Sequence, residues 1–423
     1  MQYDELVLAD RVHRSIYVEP SVFQEEMAKI FGATWVYLGH ESEISERNDF
    51  KTTRLGTRSV ILTRDNQGTL HALLNRCSHR ASIVCNEQRG NKKTFECPYH
   101  GWTYRNDGAL TGVPFREGYG EGFDASERGL ARLPHLATYR GFIFGTLNAD
   151  PPELLGWLGN AADKLDVFID RTPGIRVRNR HQLLFRGNWK LAWDNAGDGL
   201  HPTFVHRSLL LMNSERHGDG KQLAAFKSNP DDTPMYAEDL GNGHSFLDIR
   251  PMVRTFWAAQ RPFPGMEVWE QQLRERYGDS RADELLEVVP ASYVNVSIFP
   301  NLLIVANQLQ IVEPLAVDET RLSFYICAAE GLPEEVNVMR MRIGEDFPAM
   351  GNTDDLEIFE RCHEGLSVSE IEWIDMSKGY GSEFDEPDEK GVRRTPITHD
   401  AVMRGYLREW RRLMTTEPEL MVG

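Results

Sequence analysis

The sequence contains few cysteines and no long apolar segment. Five cysteines occur among 423 residues, an odd number that argues against a disulfide framework and favours free thiols or metal ligands. No apolar run approaches the roughly 18 residues that a membrane-spanning helix needs. The first residues carry acidic side chains where a secretory signal would be apolar. These absences predict a cytoplasmic protein that does not associate with membranes.

Basic residues are in the minority. The chain has 47 Lys and Arg against 64 Asp and Glu, which gives a formal net charge of −17. Such a charge argues against a nucleic-acid partner, since the phosphate backbone attracts basic surfaces. The sequence also lacks the G-x-G-x-x-G fingerprint of a dinucleotide-binding fold. A chain of this length is too long for one ordinary hydrophobic core and predicts two domains.

The hydrophobic pattern predicts an α+β protein. From about residue 50, short β-rich stretches alternate with turn sequences at 65–68 and 106–108, which are typical of hairpins. A helical pattern begins near Trp189, strand-like stretches return later, and a helix-rich segment closes the chain. We expect helices covering an antiparallel sheet in the larger domain. The expected divisions are an N-terminal helical segment packing on that larger domain at 1–40, an all-β domain at 41–150, and the larger domain at 151–423.

Two short motifs combine cysteine with histidine. Cys77-Ser78-His79 is followed after 17 residues by Cys97-Pro98-Tyr99-His100. Zinc sites with two Cys and two His usually pair the cysteines in one motif and the histidines in the other. Here each motif offers one of each, which suits a 2Fe–2S cluster with two thiolates on one iron and two imidazoles on the other. Cys85 lies outside the pattern and is expected to be a packed thiol.

These motifs, together with the surrounding "CPYHGWTY", resemble those of a known enzyme family. The chain is similar to the large (alpha) subunit of Rieske non-haem iron aromatic-ring-hydroxylating oxygenases, over nearly its whole length. Ala81 stands where the family usually has glycine, a departure that we expect to leave ligation unaffected. The resemblance implies that 41–150 is a Rieske domain and that 151–423 is a catalytic domain with a mononuclear iron.

The stretch "NWKLAWDNAGDGLHPTFVH" at 188–206 matches the family's D/E-x3-D-x2-H-x4-H signature, with His201 and His206 as iron ligands. Asp194 stands where relatives often have glutamate. The two histidines are five residues apart, about 140° around a regular helix, so both cannot face one metal from it. Pro202 lacks a backbone N–H and disrupts a helix. The spacing therefore predicts an interrupted helix that lets the two imidazoles converge.

The resemblance implies that a distant carboxylate completes the mononuclear site. In "NTDDLE" the match indicates Asp355, with Asp354 as the near competitor; the alternative role of helix N-cap near Leu356 fits Asp354 better. Asp198 is the candidate catalytic residue for electron transfer. In the family this position links a metal histidine, here His201, to a Rieske histidine of the neighbouring subunit, and such outer carboxylates also orient metal imidazoles.

The resemblance also implies a function. Electrons from a separate NAD(P)H-dependent reductase, with or without a ferredoxin, would reduce the 2Fe–2S cluster, which would pass them to the mononuclear iron and bring it to Fe(II). The iron activates O2 and an aromatic ring is hydroxylated. The benzoate, anthranilate, salicylate and terephthalate branch is the most similar, which indicates an aromatic carboxylic acid. A ring of three alpha subunits is expected, as α3β3 with a small beta subunit.

Two alternatives stay open at this point. One is a Rieske monooxygenase or demethylase acting on a non-carboxylated substrate, and the other is a non-catalytic electron-transfer or zinc-binding protein. Arg393 and Arg394, in the acidic stretch 380–396, are candidates for binding a substrate carboxylate and equally for solvated surface charges. Candidate pocket residues, chosen from the position of their segments, are Asp194, Phe204, Met212, Val294, Ile304 and Asn307.

Overall fold

The computed structural model describes residues 2–217, 235–250, 264–286 and 294–421. The strands within them are β1 Arg11–His13, β2 Val36–His40, β3 Asp49–Leu55, β4 Arg58–Arg64, β5 Leu70–Leu74, β6 Arg89–Asn91, β7 Thr94–Glu96, β8 Thr103–Arg105, β9 Leu110–Gly112, β10 His135–Tyr139, β11 Phe142–Thr146, β12 Gly174–Phe185, β13 Tyr236–Gly241, β14 His244–Asp248, β15 Val294–Ile298, β16 Leu302–Val305, β17 Gln308–Ala316, β18 Glu319–Glu330, β19 Trp373–Asp375 and β20 Arg393–Pro396. The α-helices are α1 Ser15–Val18, α2 Pro20–Lys29, α3 Leu154–Leu158, α4 Ala161–Asp170, α5 Trp189–Gly197, α6 Pro202–Val205, α7 Arg207–His217, α8 Met266–Tyr277, α9 Asp279–Leu286, α10 Glu334–Met350, α11 Asn352–Leu366 and α12 Ala401–Met414.

The chain forms two compact units. The larger comprises Met1–Glu25 and Leu155–Thr416, and the smaller comprises Glu26–Leu154 and Glu417–Gly423. The last residues join the smaller unit through an isolated β-bridge between Asn148 and Leu420.

The smaller unit is built from antiparallel strands, as the alternating pattern after residue 50 predicted. Its sheets have the strand orders β5-β4-β3-β6, β7-β8-β9 and β10-β11-β2. The expected hairpin turns are confirmed, because β4 pairs with β5 across 65–69 and β8 pairs with β9 across 106–109. Its core contains both motif cysteines and Cys85, together with Phe50, Ile61, Leu73, Val84, Phe95, Trp102, Tyr104, Leu110 and Leu130.

The larger unit contains an antiparallel sheet against which helices pack. Among the described residues this sheet has the order β12-β18-β17-β16-β15-β14-β13-β20. Helix α5 packs on β14, β15 and β17, and α12 packs on β13 and β14. Apolar side chains of the central strands are buried, as in β16, where Leu302, Leu303 and Ile304 are at most 3% exposed. The predicted α+β architecture is therefore confirmed.

The acidic stretch 380–396 is partly irregular and ends in a strand. Its last residues form β20, which pairs with β13 at one edge of the sheet. Arg393 lies 3.4 Å from a carboxylate oxygen of Asp239, and Arg394 lies 3.4 Å from one of Asp248. Both arginines thus pair with acidic residues of the same sheet, which favours a structural role over substrate binding.

Helix α5 ends at Gly197, and the chain resumes helical structure only at Pro202. This break confirms the predicted interruption between the two histidine positions. Helix α11 begins earlier than expected, with Gly351 as its N-cap residue. The N-cap role considered for Asp354 is therefore wrong, because Asp354 lies inside the first turn. Within the described ranges, no helix has the length and apolar character required to cross a bilayer.

Candidate metal centres

The two Cys-His motifs form loops with the same backbone geometry. In the first loop the N–H of Cys77 donates to the carbonyl of Ser82 at 2.8 Å, and the N–H of Ala81 donates to the carbonyl of Cys77 at 3.0 Å. In the second loop the N–H of Cys97 donates to the carbonyl of Trp102 at 2.8 Å, and the N–H of Gly101 donates to the carbonyl of Cys97 at 2.9 Å. Each loop thus presents one thiol and one imidazole from the same kind of turn.

The shared loop geometry shows why the family usually has glycine at the position of Ala81: the backbone there is left-handed. Ala81 has φ 61°, and its counterpart Gly101 has φ 67°. The left-handed region is open to glycine but unfavourable for a residue with a Cβ. Ala81 therefore adopts the turn that the motif requires at a cost in backbone strain, and the ligand loop keeps its shape.

The loops bring the four motif side chains together. The imidazole centroids of His79 and His100 lie 4.6 Å apart, and the thiol of Cys97 lies close enough to that of Cys77 to lower its pKa. Nδ1 of His79 is buried and makes no hydrogen bond to any residue that the structure describes. Two clustered thiols and two clustered imidazoles, one with a buried nitrogen available, fit a 2Fe–2S cluster with mixed ligands.

Tyr104 is a residue of this centre that the motif search missed. Its hydroxyl lies 3.1 Å from Sγ of Cys77 and accepts a hydrogen bond from the N–H of Ser78, also at 3.1 Å. Burial raises the pKa of the Cys77 thiol, but hydrogen bonds from Tyr104, the backbone and Cys97 outweigh it and hold that pKa below its usual value. The only sequence signal was an aromatic residue shortly after the second motif.

The break between α5 and α6 directs the two downstream histidines to one point. His201 is the N-cap residue of α6, with Pro202 as the first helical residue, and His206 follows its last residue. Their rings are 5.4 Å apart and nearly perpendicular. Proline at the first helical position is favourable because that N–H has no partner within a helix. Pro202 is therefore well suited to begin α6 directly after His201.

Asp355 joins these histidines from helix α11. Its Oδ1 lies 3.8 Å from Nε2 of His201 and 3.3 Å from Nε2 of His206. One donor atom from each of the three residues lies within 4.8 Å of the others. Oδ1 is buried and accepts no hydrogen bond from the residues described. Two imidazoles and one carboxylate in this arrangement fit non-haem Fe(II) with open coordination positions.

The pKa values of His206 and Asp355 suit metal binding. Burial, followed by the charge of His201, lowers the pKa of His206 to about 4, so this imidazole is neutral at neutral pH. Burial raises the pKa of Asp355 to about 6. A metal ligand must be deprotonated, and a bound cation favours the ionised form of a buried carboxyl.

Asp198 lies next to Nδ1 of His201, the ring nitrogen that does not face Asp355. Its two oxygens accept hydrogen bonds from the N–H of Leu200 at 2.6 Å and of His201 at 3.2 Å, and its Oδ2 is 3.6 Å from Nδ1 of His201. Burial raises the pKa of this carboxyl, but the nearby His201 ring and the two backbone hydrogen bonds hold it below its usual value. Asp198 is therefore an ionised acceptor on the side of the ring opposite Asp355.

Asn195 is the second residue that the sequence reasoning missed. Its side chain hydrogen-bonds Asp355 and thereby lowers the pKa of that carboxyl, against the larger effect of burial. Asn195 and His201 are on either side of the helix break, while Asp355 lies far along the chain. The two residues are 160 positions apart in the chain, so no local sequence pattern could have identified Asn195 as a partner of Asp355.

The candidate pocket residues have different environments. Asp194 is partly buried and accepts hydrogen bonds from the hydroxyls of Tyr17, at 3.0 Å, and Tyr406; burial raises its pKa to about 6. Phe204 and Met212 are 70% and 41% exposed. The last three candidates lie on the sheet: Val294 begins β15, Ile304 is buried in β16, and Asn307 is buried between β16 and β17, where it donates to the carbonyl of Arg340. The pocket stays a prediction.

Known proteins match this chain over both units. The family described as "Rieske [2Fe-2S] domain" matches residues 34–137, and the family described as "Ring hydroxylating alpha subunit (catalytic domain)" matches residues 172–415. The chain is 33% identical to the 2-halobenzoate 1,2-dioxygenase large subunit of Burkholderia cepacia, covering 90% of this chain and 83% of that one. It is 34% identical to the toluate 1,2-dioxygenase subunit alpha of Pseudomonas putida, covering 90% and 84%.

The fold has a counterpart among solved structures. The naphthalene 1,2-dioxygenase from Rhodococcus sp., bound to indole, superposes with a TM-score of 0.78 at 26% identity and covers 96% of this chain and 94% of that one. A match to a catalytic domain over 172–415 removes the alternative of a non-catalytic electron carrier or zinc-binding protein. The chain belongs to the family of ring-hydroxylating oxygenase alpha subunits, enzymes with a Rieske 2Fe–2S cluster and a mononuclear iron that use O2.

Proposed function

We propose that this chain is the terminal oxygenase component that hydroxylates the ring of an aromatic carboxylic acid. The observation that carries the oxygenase assignment is the convergence of three donor atoms, from two histidines and one aspartate, within 4.8 Å. The substrate class is supported by relatives named for halobenzoate, toluate and anthranilate, each at least 31% identical over at least 90% of this chain.

We assign the mononuclear iron to His201, His206 and Asp355. An Fe(II) held by these two imidazoles and one carboxylate would supply the activation of O2. In this site His206 contributes a neutral Nε2, and Asp355 contributes the buried Oδ1 that faces both histidines. Asn195 holds the Asp355 carboxylate by its hydrogen bond.

We assign the 2Fe–2S cluster to the four motif residues of the smaller unit. The thiols of Cys77 and Cys97 are both 1% exposed, which suits sulfur ligands kept away from water. His79 and His100 supply the two imidazoles, and the ring of His79 stacks on Trp102 at 4.9 Å between centroids. This stacking holds the plane of one proposed ligand ring.

The electrons are proposed to come from a separate NAD(P)H-dependent reductase, with or without a ferredoxin, since the chain has no dinucleotide-binding fingerprint. We propose a ring of three alpha subunits, as α3β3 with small beta subunits, in which Asp198 links His201 of one chain to His100 of the next. Such a ring needs a head-to-tail interface that closes on itself. The compartment proposed is the cytoplasm, in keeping with five free cysteines.

The substrate assignment is tested with the purified oxygenase, a reductase and O2. Benzoate, anthranilate, salicylate and terephthalate form the panel, with toluene and naphthalene as matched compounds that lack the carboxylate. We expect hydroxylated acid in proportion to NAD(P)H consumed, and the number of oxygen atoms incorporated from labelled O2 distinguishes a dioxygenase from a monooxygenase. An enzyme with full iron content that hydroxylates the hydrocarbons and none of the acids would contradict the proposal.

The cross-subunit link is tested with Asp198→Asn. The amide keeps the size of the side chain but removes the charge that strengthens its hydrogen bonds to imidazole. We expect both metal centres to be retained and electron transfer between them to slow severely. The measurement is single-turnover oxidation of the pre-reduced cluster with substrate and O2. A wild-type rate in the variant, or an active monomer in sedimentation, refutes the link.

A further inference from the structure

The adjacent acids Asp354 and Asp355 face opposite sides of one histidine. Oδ1 of Asp355 lies 3.3 Å from Nε2 of His206, while Oδ2 of Asp354 lies 3.8 Å from Nδ1 of the same ring. Both acids belong to the first turn of α11. Neighbouring residues of a helix point about 100° apart, so a single turn can present one carboxylate to each ring nitrogen.

The other histidine has the same arrangement. Nε2 of His201 faces Asp355 at 3.8 Å, and Nδ1 of His201 is 3.6 Å from Oδ2 of Asp198. Asp198 was expected from the sequence to orient its histidine, whereas Asp354 was considered only as a competing ligand or a helix cap. The two rings therefore share one carboxylate on their inner side, and each has a carboxylate of its own on the outer side.

Asp354 also has an unused acceptor. Its Oδ2 is buried from solvent, although the side chain as a whole is 34% exposed, and it accepts no hydrogen bond within the part of the chain that the structure describes. A buried oxygen without a donor is unfavourable. Its neighbour across 3.8 Å is a ring nitrogen that must carry the proton whenever the opposite nitrogen binds a metal.

We propose that Asp354 is a positioning residue that accepts a hydrogen bond from Nδ1–H of His206 and so fixes the tautomer and ring orientation in which Nε2 binds iron. This inference rests on the proposed role of His206 as a ligand. The separation of 3.8 Å is longer than a hydrogen bond, so the proposed bond requires the Asp354 carboxylate to turn about its soft terminal torsion. Outer carboxylates of this kind hold metal-binding histidines and raise their basicity.

A purely structural role for Asp354 makes a different prediction. An acidic residue in the first turn of a helix stabilises it through the helix dipole, and loss of that effect would change unfolding but not metal binding. Glu357 is the matched control, because it lies on the same helix, is 60% exposed and pairs with Arg361 at 2.9 Å. Glu357→Gln removes the same charge from α11 without touching His206.

The experiment measures the dissociation constant of mononuclear Fe(II) in the full chain by chelator competition, with the Rieske absorption as internal reference. We expect Asp354→Asn to weaken iron binding about 10–100-fold, Asp354→Glu to restore part of it, and Glu357→Gln to bind as the wild type does. The 2Fe–2S spectrum and the unfolding temperature of the iron-free Asp354→Asn variant should match the wild type.

Three results overturn the inference. The first is wild-type iron affinity in Asp354→Asn, and the second is a loss of iron affinity in Glu357→Gln equal to that in Asp354→Asn. The third is complete loss of iron in Asp354→Asn, as expected for Asp355→Ala, which would make Asp354 a ligand. Failure of the proposed function appears separately, because His206→Ala would then retain its iron. Loss of iron in His206→Ala with normal affinity in Asp354→Asn overturns only the positioning role.

Discussion

Replacing Gly199 by alanine should deplete the mononuclear iron while leaving the Rieske cluster intact. Gly199 lies between Asp198 and His201, where its N–H donates to the carbonyl of Ile397 at 3.2 Å. A Cβ at this position would lie 2.1 Å from Cγ1, 2.7 Å from Cδ1 and 2.9 Å from the carbonyl oxygen of Ile397. Side-chain rotation can relieve the first two contacts, but the third is with backbone, so one of the two segments must move.

The magnitude follows from these contacts. Ile397 is 2% exposed, and an extra methyl group in a packed interior costs about 1–3 kcal/mol. Loss of the Gly199 hydrogen bond adds about 1 kcal/mol, so the larger unit should lose roughly 2–4 kcal/mol of stability. The displacement falls two residues before His201. The ligand geometry should therefore suffer more than the fold.

The assay combines urea unfolding with the ratio of mononuclear iron to cluster. Gly365→Ala is the matched control, because Gly365 lies in α11 of the same unit and a Cβ there meets no atom within 4 Å. Alanine is preferred over glycine in a helix by up to about 1 kcal/mol, so this variant should be as stable as the wild type or more so. Wild-type iron content and wild-type stability in Gly199→Ala together would refute the steric argument.

Two further predictions concern the Rieske loops. Ala81→Gly should stabilise the first loop by about 0.5–1 kcal/mol, because it relieves a left-handed alanine at some expense in unfolded-state entropy; Gly101→Ala should do the reverse, and urea unfolding followed by cluster absorption measures both. Tyr104→Phe should lower the reduction potential, since it removes a hydrogen bond to Sγ of Cys77. About 1 kcal/mol for that bond corresponds to roughly 40 mV in a one-electron couple, and an assembled cluster with an unchanged potential in a redox titration would contradict it.

The features that the residue pattern alone predicted are those whose partners lie nearby in the chain, whereas the distant Asp355 was indicated by the family resemblance. The Cys-His motifs each fit within four residues, and the loops that carry them close on themselves through bonds over four or five residues. The interruption before Pro202 followed from the period of a helix and the missing N–H of proline. Local geometry sets all of these features, so a short stretch of sequence contains the information.

The residues that could not be predicted act across long separations. Asn195 contacts Asp355, and Tyr104 contacts Cys77, yet neither pair belongs to one motif. The role of Asp354 depends on which way the first turn of α11 faces, and its sequence is compatible with a ligand, a cap or an outer partner. Only the position of that helix relative to His206 separates these roles.

The packing of α5 shows why a correct ligand spacing does not by itself make an iron site. Tyr17 and Tyr406, from opposite ends of the chain, both donate to Asp194 on α5. One turn later a Cβ on Gly197 would lie 2.7 Å from Cγ1 of Val402, so α5 and α12 approach too closely for a side chain there. Gly199 then bonds the segment just before α12. The start of the His201 segment is held by residues some 200 positions away. The local sequence signature therefore specifies which side chains can bind iron, whereas the packing of the C-terminal segment specifies their positions.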